Sequence, residues 1–154
     1  MDARPDPAIR PNQLFALTLG ALPSDAADLR AGVLAATERL LVPGGIRSLS
    51  AEHPLYHGVY AGDEDTSRKP AYHNGTVWAW PFALYAEALA ASGRASAETA
   101  LSLLASSVEN LNAGCLCHIS EIADGDAPHA EKGCLAQAWS DSELLRVWLK
   151  LGGK

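Results

Sequence analysis

Between Asp25 and Leu41 the apolar residues Ala26, Leu29, Val33, Ala36 and Leu40 recur at intervals of three and four, the spacing that gathers side chains on one face of a 3.6-residue helix. A stripe of that kind is stable only when another element covers it, so the chain must pack this helix against a partner layer. Ser24 stands where an N-cap belongs, and Gly44 and Gly45 after Pro43 mark the stop. The spacing returns between Ala97 and Leu111, where Leu101, Leu104, Val108 and Leu111 share a face and Asn112 and Gly114 close the segment.

Three further segments read as helical. Pro11 to Leu22 carries Leu14, Phe15, Leu17 and Leu19 nearly all round, a short buried helix whose first turn tolerates proline. Thr76 to Ser92 is rich in aromatics, with Pro81 placed either to kink the helix or to mark a late start. Leu135 to Leu151 is predicted as a final helix that buries Trp139, Leu145, Trp148 and Leu149. The β signal is confined to Ile46–Leu49 and Leu116–Ile122, so the expected fold class is all-α, in one domain over residues 1–154.

From Gly45 to Gly75 the periodicity disappears, and glycines and prolines mix with His53, Tyr56, His57, Tyr60, Tyr72 and His73. A loop this long in a compact domain shapes a functional surface. His53 and His57 themselves read as surface residues.

Charge and cysteine content narrow the partners. A formal net charge of -6 and a pI near 5.2 with no basic stripe argue against nucleic acid, whose phosphates need clustered Lys and Arg. The opening MDARPDPAIRPNQ has no apolar signal core and no apolar run reaches spanning length, so a cytoplasmic chain without membrane association is expected. Cys115, Cys117 and Cys134 are read as reduced, buried thiols. The C-x-C-H run ending at His118 lacks the usual zinc spacing, so no metal is assigned, although a thiol or zinc protein stays open as an alternative.

The chemistry concentrates between His118 and Glu143. Glu121 sits among Ile119, Ser120, Ile122 and Ala123, with Asp124, Asp126 and His129 close behind, the setting of a poised catalytic carboxylate. Gly125 and Pro128 allow the plainer reading of an acidic turn. Two other segments also place polar and aromatic residues at the start of a helix: RPNQ at Arg10–Gln13 and YHNGTVWAW at Tyr72–Trp80. Such residues suit sugars, since Arg, Asn, Gln and His bond hydroxyls while indole and phenol rings pack on pyranose faces. Trp148 is better placed in a core; Trp78, beside His73 and Asn74, fits either role.

RPNQLFALTL, YHNGTVWAW and ISEIADGDAPH followed by GCLAQAWS resemble, in that order, the C-terminal glucosidase region of glycogen debranching enzymes, the amylo-α-1,6-glucosidase type. The similarity runs from about Arg10 to Trp148. It implies an α/α toroid of helical hairpins that hydrolyses α-1,6-linked glucose with inversion and without a cofactor. It assigns Glu121 as the general base. It makes Arg10, Asn12, Gln13, Tyr72, His73 and Trp78 pocket residues, with Asp124 and His129 holding the base loop. The helices read here account for less than half of such a ring, so the resemblance also implies a C-terminal portion. Its general acid would then come from a chain supplying the N-terminal half, or from self-association. Other inverting toroid glycosidases of the glucoamylase or trehalase kind, and a non-catalytic module binding branched α-glucan, are the competing readings.

Overall fold

The computed structural model describes residues 5–23 and 25–153; Ser24, read above as an N-cap, lies outside them. A 3-10 turn over Pro11–Leu14 runs directly into α1 (Phe15–Thr18). There follow α2 (Ala27–Glu38), the single turn α3 (Lys69–Tyr72), α4 (Trp80–Ala91), α5 (Ala97–Glu109) and α6 (Ala138–Lys150). Helix α5 begins at Ser96, whose hydroxyl accepts the Thr99 N–H at 3.1 Å, satisfying one of the free donors of a first turn. Pro81 marks a late start: it lies in the first turn of α4, where its missing N–H costs nothing.

Helix α4 is the hub. Every residue from Pro81 to Leu89 is buried, and the helix packs on α1, α2, α5 and α6. Its alanines, Ala83, Ala86 and Ala88, let those neighbours approach closely, and Leu14, Leu34, Leu104 and Val147 fill the space around it. A helix that is apolar all round belongs in such a position.

The architecture is helix-rich but not all-α, which corrects the sequence expectation. Five short strands form one antiparallel sheet in chain order: β1 (Leu41–Val42), β2 (Gly45–Arg47), β3 (Val77–Trp78), β4 (Ile122–Ala123) and β5 (Glu131–Lys132). The first two are a hairpin turning at Pro43 and Gly44, the latter at φ +74°, a conformation that favours glycine. Strands of two or three residues cannot display a period of two, and two of the four pairings, β2 with β3 and β3 with β4, join segments far apart in sequence. The sheet sets Ile46 opposite Trp78 and Val77 opposite Ala123. It thereby draws the long 45–75 segment, the Tyr72–Trp80 segment and the Glu121 loop to one place.

Helix α6 presents a different face from the one expected. Ser140, Leu144 and Val147 are buried and Leu151 packs on the core, an i, i+4, i+7, i+11 stripe. Trp139 is 45% exposed, Leu145 58% and Leu149 60%, and Trp148 is half-buried. A serine inside the buried stripe hid it from a reading that followed the apolar residues. The cysteines also depart from expectation: Cys117 and Cys134 are exposed and Cys115 is half-buried, because all three sit in loops rather than on a helix face.

One buried charge ties α4 to α6. The Glu87 carboxylate, 7% exposed, pairs with Arg146 Nη2 at 2.5 Å and Lys150 Nζ at 2.6 Å. Burial alone would raise its pKa, but hydrogen bonds from Arg146 and Lys150 hold it below the ordinary value of 4.5. The sign follows: the group stabilises the fold fully above pH 4.5 and loses that contribution as pH falls through its lower native value. Urea melts taken at a series of pH values should therefore steepen in their loss of stability below that point, and Glu87→Gln should flatten the dependence. An unchanged slope would show that the cluster contributes nothing.

Candidate functional site

Glu121 enters the sheet just before β4, and three donors converge on its carboxylate. The Tyr72 hydroxyl, at the end of α3, donates to Oε1. Gln137 Nε2, at the N-cap of α6, reaches the same oxygen at 3.4 Å. The backbone N–H of Cys134 donates to Oε2 at 3.0 Å, while the Glu121 N–H donates back to the Cys134 carbonyl at 2.8 Å. A side chain on Gly133 would meet Oε2 at 2.5 Å, so glycine there lets the chain pass behind the carboxylate. Burial, then the hydrogen bond to Glu121 and its charge, push the Tyr72 phenol well above its ordinary range. Tyr72 stays a donor at any physiological pH.

The loop after Glu121 is anchored residue by residue. Asp124 is buried, accepts the Tyr60 N–H at 2.8 Å and has Lys132 Nζ 3.9 Å from its other oxygen. His129, at φ +62°, places Nδ1 3.0 Å from the Asp124 carbonyl. Asp126 accepts the Tyr56 hydroxyl at 2.9 Å, and burial together with that bond raises the Tyr56 phenol. Glu131 accepts the Ser120 hydroxyl at 2.5 Å. Asp124, Asp126 and Glu131 are thus each engaged by a partner of their own.

Arg10 is a cross-link. Its guanidinium donates to the carbonyls of Ser48 at 3.2 Å and His73 at 2.6 Å and to Asn74 Oδ1 at 2.9 Å, so it holds the Tyr72–Trp80 segment against the end of β2. Asn12 is exposed, and Gln13 is half-buried with an unpartnered buried Nε2. Trp78 is almost fully buried at 5% and its indole N–H donates to Thr76 Oγ1. Its ring is covered by its neighbours, and it backs Tyr72 and His73. Tyr72 meets it edge-on at 5.1 Å and His73 stacks on it at 5.6 Å.

The structure therefore brings together Arg10, Tyr72, His73, Trp78, Glu121, Asp124 and His129. Reading the sequence missed Gln137, the Cys134 backbone, Tyr60, whose ring lies 5.8 Å from that of Tyr72, and Trp139, edge-on to Trp78 at 5.7 Å. GCLAQAWS held three of these, and its Gln and Trp two residues apart were the available signal. His53 and His57 stand aside: His53 Nδ1 accepts the Leu55 N–H, and the His57 backbone bonds Asn74. Among the described residues no three His, Cys, Asp or Glu gather as a metal site, and His118 pairs with Asp141 at 2.8 Å. The zinc alternative gains no support from that arrangement.

What the arrangement offers chemically is one oriented carboxylate beside an aromatic wall, with backbone and amide donors fixing its rotation. Comparison with known families finds a match over residues 1–146 to the family described as amylo-alpha-1,6-glucosidase. No curated protein matches the chain.

Proposed function

We propose that this chain, which belongs to the amylo-alpha-1,6-glucosidase family, takes part in hydrolysis of α-1,6-glucosidic branch points of an α-glucan with inversion, Glu121 acting as general base. Membership supports a glucosidase with a glucan substrate. The observation that carries the finer reading is the Glu121 carboxylate, whose two oxygens are turned and held by Tyr72, Gln137 and Cys134. A carboxylate so fixed can take a proton from a water on one face of the anomeric carbon while an acid protonates the leaving oxygen on the other.

Inversion needs a second carboxyl roughly 6.5–9.5 Å away to leave room for that water. Asp124, Asp126 and Glu131 are engaged by Tyr60, Tyr56 and Ser120, and the acid is assigned to a chain supplying the N-terminal half of the ring or to a second copy of this one. Leu145 and Leu149, one turn apart on α6 and both exposed, support a covering partner or self-association.

Glucose release from an isomaltosyl, a maltosyl and a trehalose substrate tests the linkage. Release from the α-1,6 substrate alone supports the reading, and preference for the maltosyl or trehalose substrate would replace it with a glucoamylase- or trehalase-like one. Anomer detection by NMR tests inversion, which requires β-glucose as the first product.

Tyr72→Phe removes one donor from Glu121 and keeps the ring on Trp78. A hydrogen bond to a charged group contributes about 1.5–3 kcal/mol of stability, so Tm should fall by roughly 2–4 °C per kcal/mol, and the base's lost orientation should lower turnover by about tenfold or more. Equal turnover would mean the hydroxyl does not position the base.

A further inference from the structure

Ser120, the residue before Glu121, is buried, and its hydroxyl donates to Glu131 Oε2 on β5 at 2.5 Å. A hydroxyl donating to an ionised carboxylate makes one of the shorter and stronger side-chain hydrogen bonds. The backbone of Gly114, in the loop after α5, closes over the pair, and a Cβ there would collide with both Glu131 Oε2 and Ser120 Oγ. Beside the pair lies a cavity of about 190 Å³, lined by Asn110, Ile122 and His129 as well as by Ser120 and Glu131.

The backbone around Glu121 is otherwise thinly held. Glu121 stands at a bend where the chain enters β4, and its N–H bonds the Cys134 carbonyl. Strand β4 is two residues long and meets β3 at a single pair, Val77 with Ala123. Ladder bonds lie across the strands and hold each against sliding along its neighbour, but a strand this short can still roll about its own axis. Rolling is the motion that swings the Glu121 carboxylate. A side-chain bond from the adjacent residue to the next strand, lying off that axis, opposes it.

We infer that Ser120 and Glu131 act as one positioning unit for the base, holding the Glu121 backbone at the angle from which its carboxylate meets Tyr72, Gln137 and the Cys134 N–H. The inference rests on the hydrolytic reading above and extends it to two residues that have no part in proton transfer. Gly114 completes the unit, since its lack of a side chain lets the pair close.

Ser120→Ala and Glu131→Ala each remove the bond, and the neighbouring cavity admits water to the group left behind, so both variants should fold. Amide hydrogen exchange reads the anchor without turnover. Exchange at Glu121 and Cys134 should quicken by about tenfold in either variant and no further in the double variant, with α2 and α5 as in the parent. In glucose release by the assembly that supplies the acid, kcat should fall about tenfold in each single variant, with KM unchanged and no further loss in the double. A misplacement of about 1 Å costs on the order of 10²-fold, and a smaller roll correspondingly less. Glu131→Gln, which still accepts from Ser120, should keep most of the parent rate. Parental exchange at both amides in the two single variants overturns the unit. Faster exchange with parental kcat, or losses that add in the double variant, overturns the positioning role and leaves Glu121 standing as base. A parent assembly that releases no glucose overturns the hydrolytic reading and the positioning role with it, whatever the exchange shows.

Discussion

Glu121→Gln is expected to lower glucose release from a branched limit dextrin by about 10²–10⁴-fold, the range that a positioned general base contributes. The substitution is close to isosteric, so the amide oxygen can still accept from Tyr72 and Gln137. Only the Cys134 N–H, which donates to Oε2, then faces a donor, at a cost to stability of about 1–3 kcal/mol. The loss would therefore lie in kcat, with binding of oligosaccharide retained. Glu121→Asp provides the geometric control: its carboxylate keeps the chemistry but is drawn back by one methylene from water and from the donors. A misplacement of about 1 Å costs on the order of 10²-fold, so aspartate should also be poor. The measurement is single-turnover glucose release by the assembly that supplies the acid, with the parent chain beside both variants. Release by Glu121→Gln at the parent rate would remove Glu121 from the reaction.

Much of the helical layer was legible because its signal is local. The segments from Ala26 to Leu40 and from Leu101 to Leu111 became α2 and α5, because a 3.6-residue period is local. The buried faces, however, are not the predicted stripes: Leu29 is 61% and Val108 42% exposed, while Leu34 and Thr37 of α2 and Ala100, Leu104 and Ser107 of α5 are buried. The convergence of the segments at Arg10, Tyr72 and Glu121 was also anticipated, and the contacts of Arg10 with His73 and of Tyr72 with Glu121 realise it. The sheet was not legible. Val77 pairing with Ala123 depends on loop closure across much of the chain, and strands this short leave no pattern of their own. Nor did the sequence distinguish two tryptophans that look equivalent in it. Trp78, which fitted either role, lies in a strand and is 5% exposed, whereas Trp139, expected in the core, is 45% exposed because α6 turns a different face inward.

Gly75→Ala is expected to cause the largest combined loss of stability and activity among loop changes, because three loops meet at that buried backbone. A Cβ there would collide with the carbonyl of His57 and lie 3.1 Å from its nitrogen, atoms that cannot swing away as a side chain does. The His57 N–H is itself bonded to the Asn74 carbonyl at 2.7 Å, and the Gly75 N–H donates to the buried Ser48 hydroxyl at 2.9 Å. On the other side Gly125 of the base loop is packed so closely on the Gly75 carbonyl that it too has no room for a side chain. A methyl group at Gly75 therefore pushes the His57 loop off the segment that carries Tyr72 and Trp78, and loosens the contact with the loop that follows Glu121. Overpacking of this kind costs about 1–3 kcal/mol or more, which for a chain of this length lowers Tm by roughly 2–4 °C per kcal/mol. Displacing Tyr72 from Glu121 by even about 1 Å should cut turnover by on the order of 10²-fold. Gly93→Ala supplies the contrast. It sits at φ +70° after α4 with nothing within 4 Å of its added carbon, so it should lose about 1–2 kcal/mol to backbone strain with turnover intact. If thermal melts and glucose release place the two variants side by side, with both losses alike, the close packing at Gly75 would have no role in aligning the base.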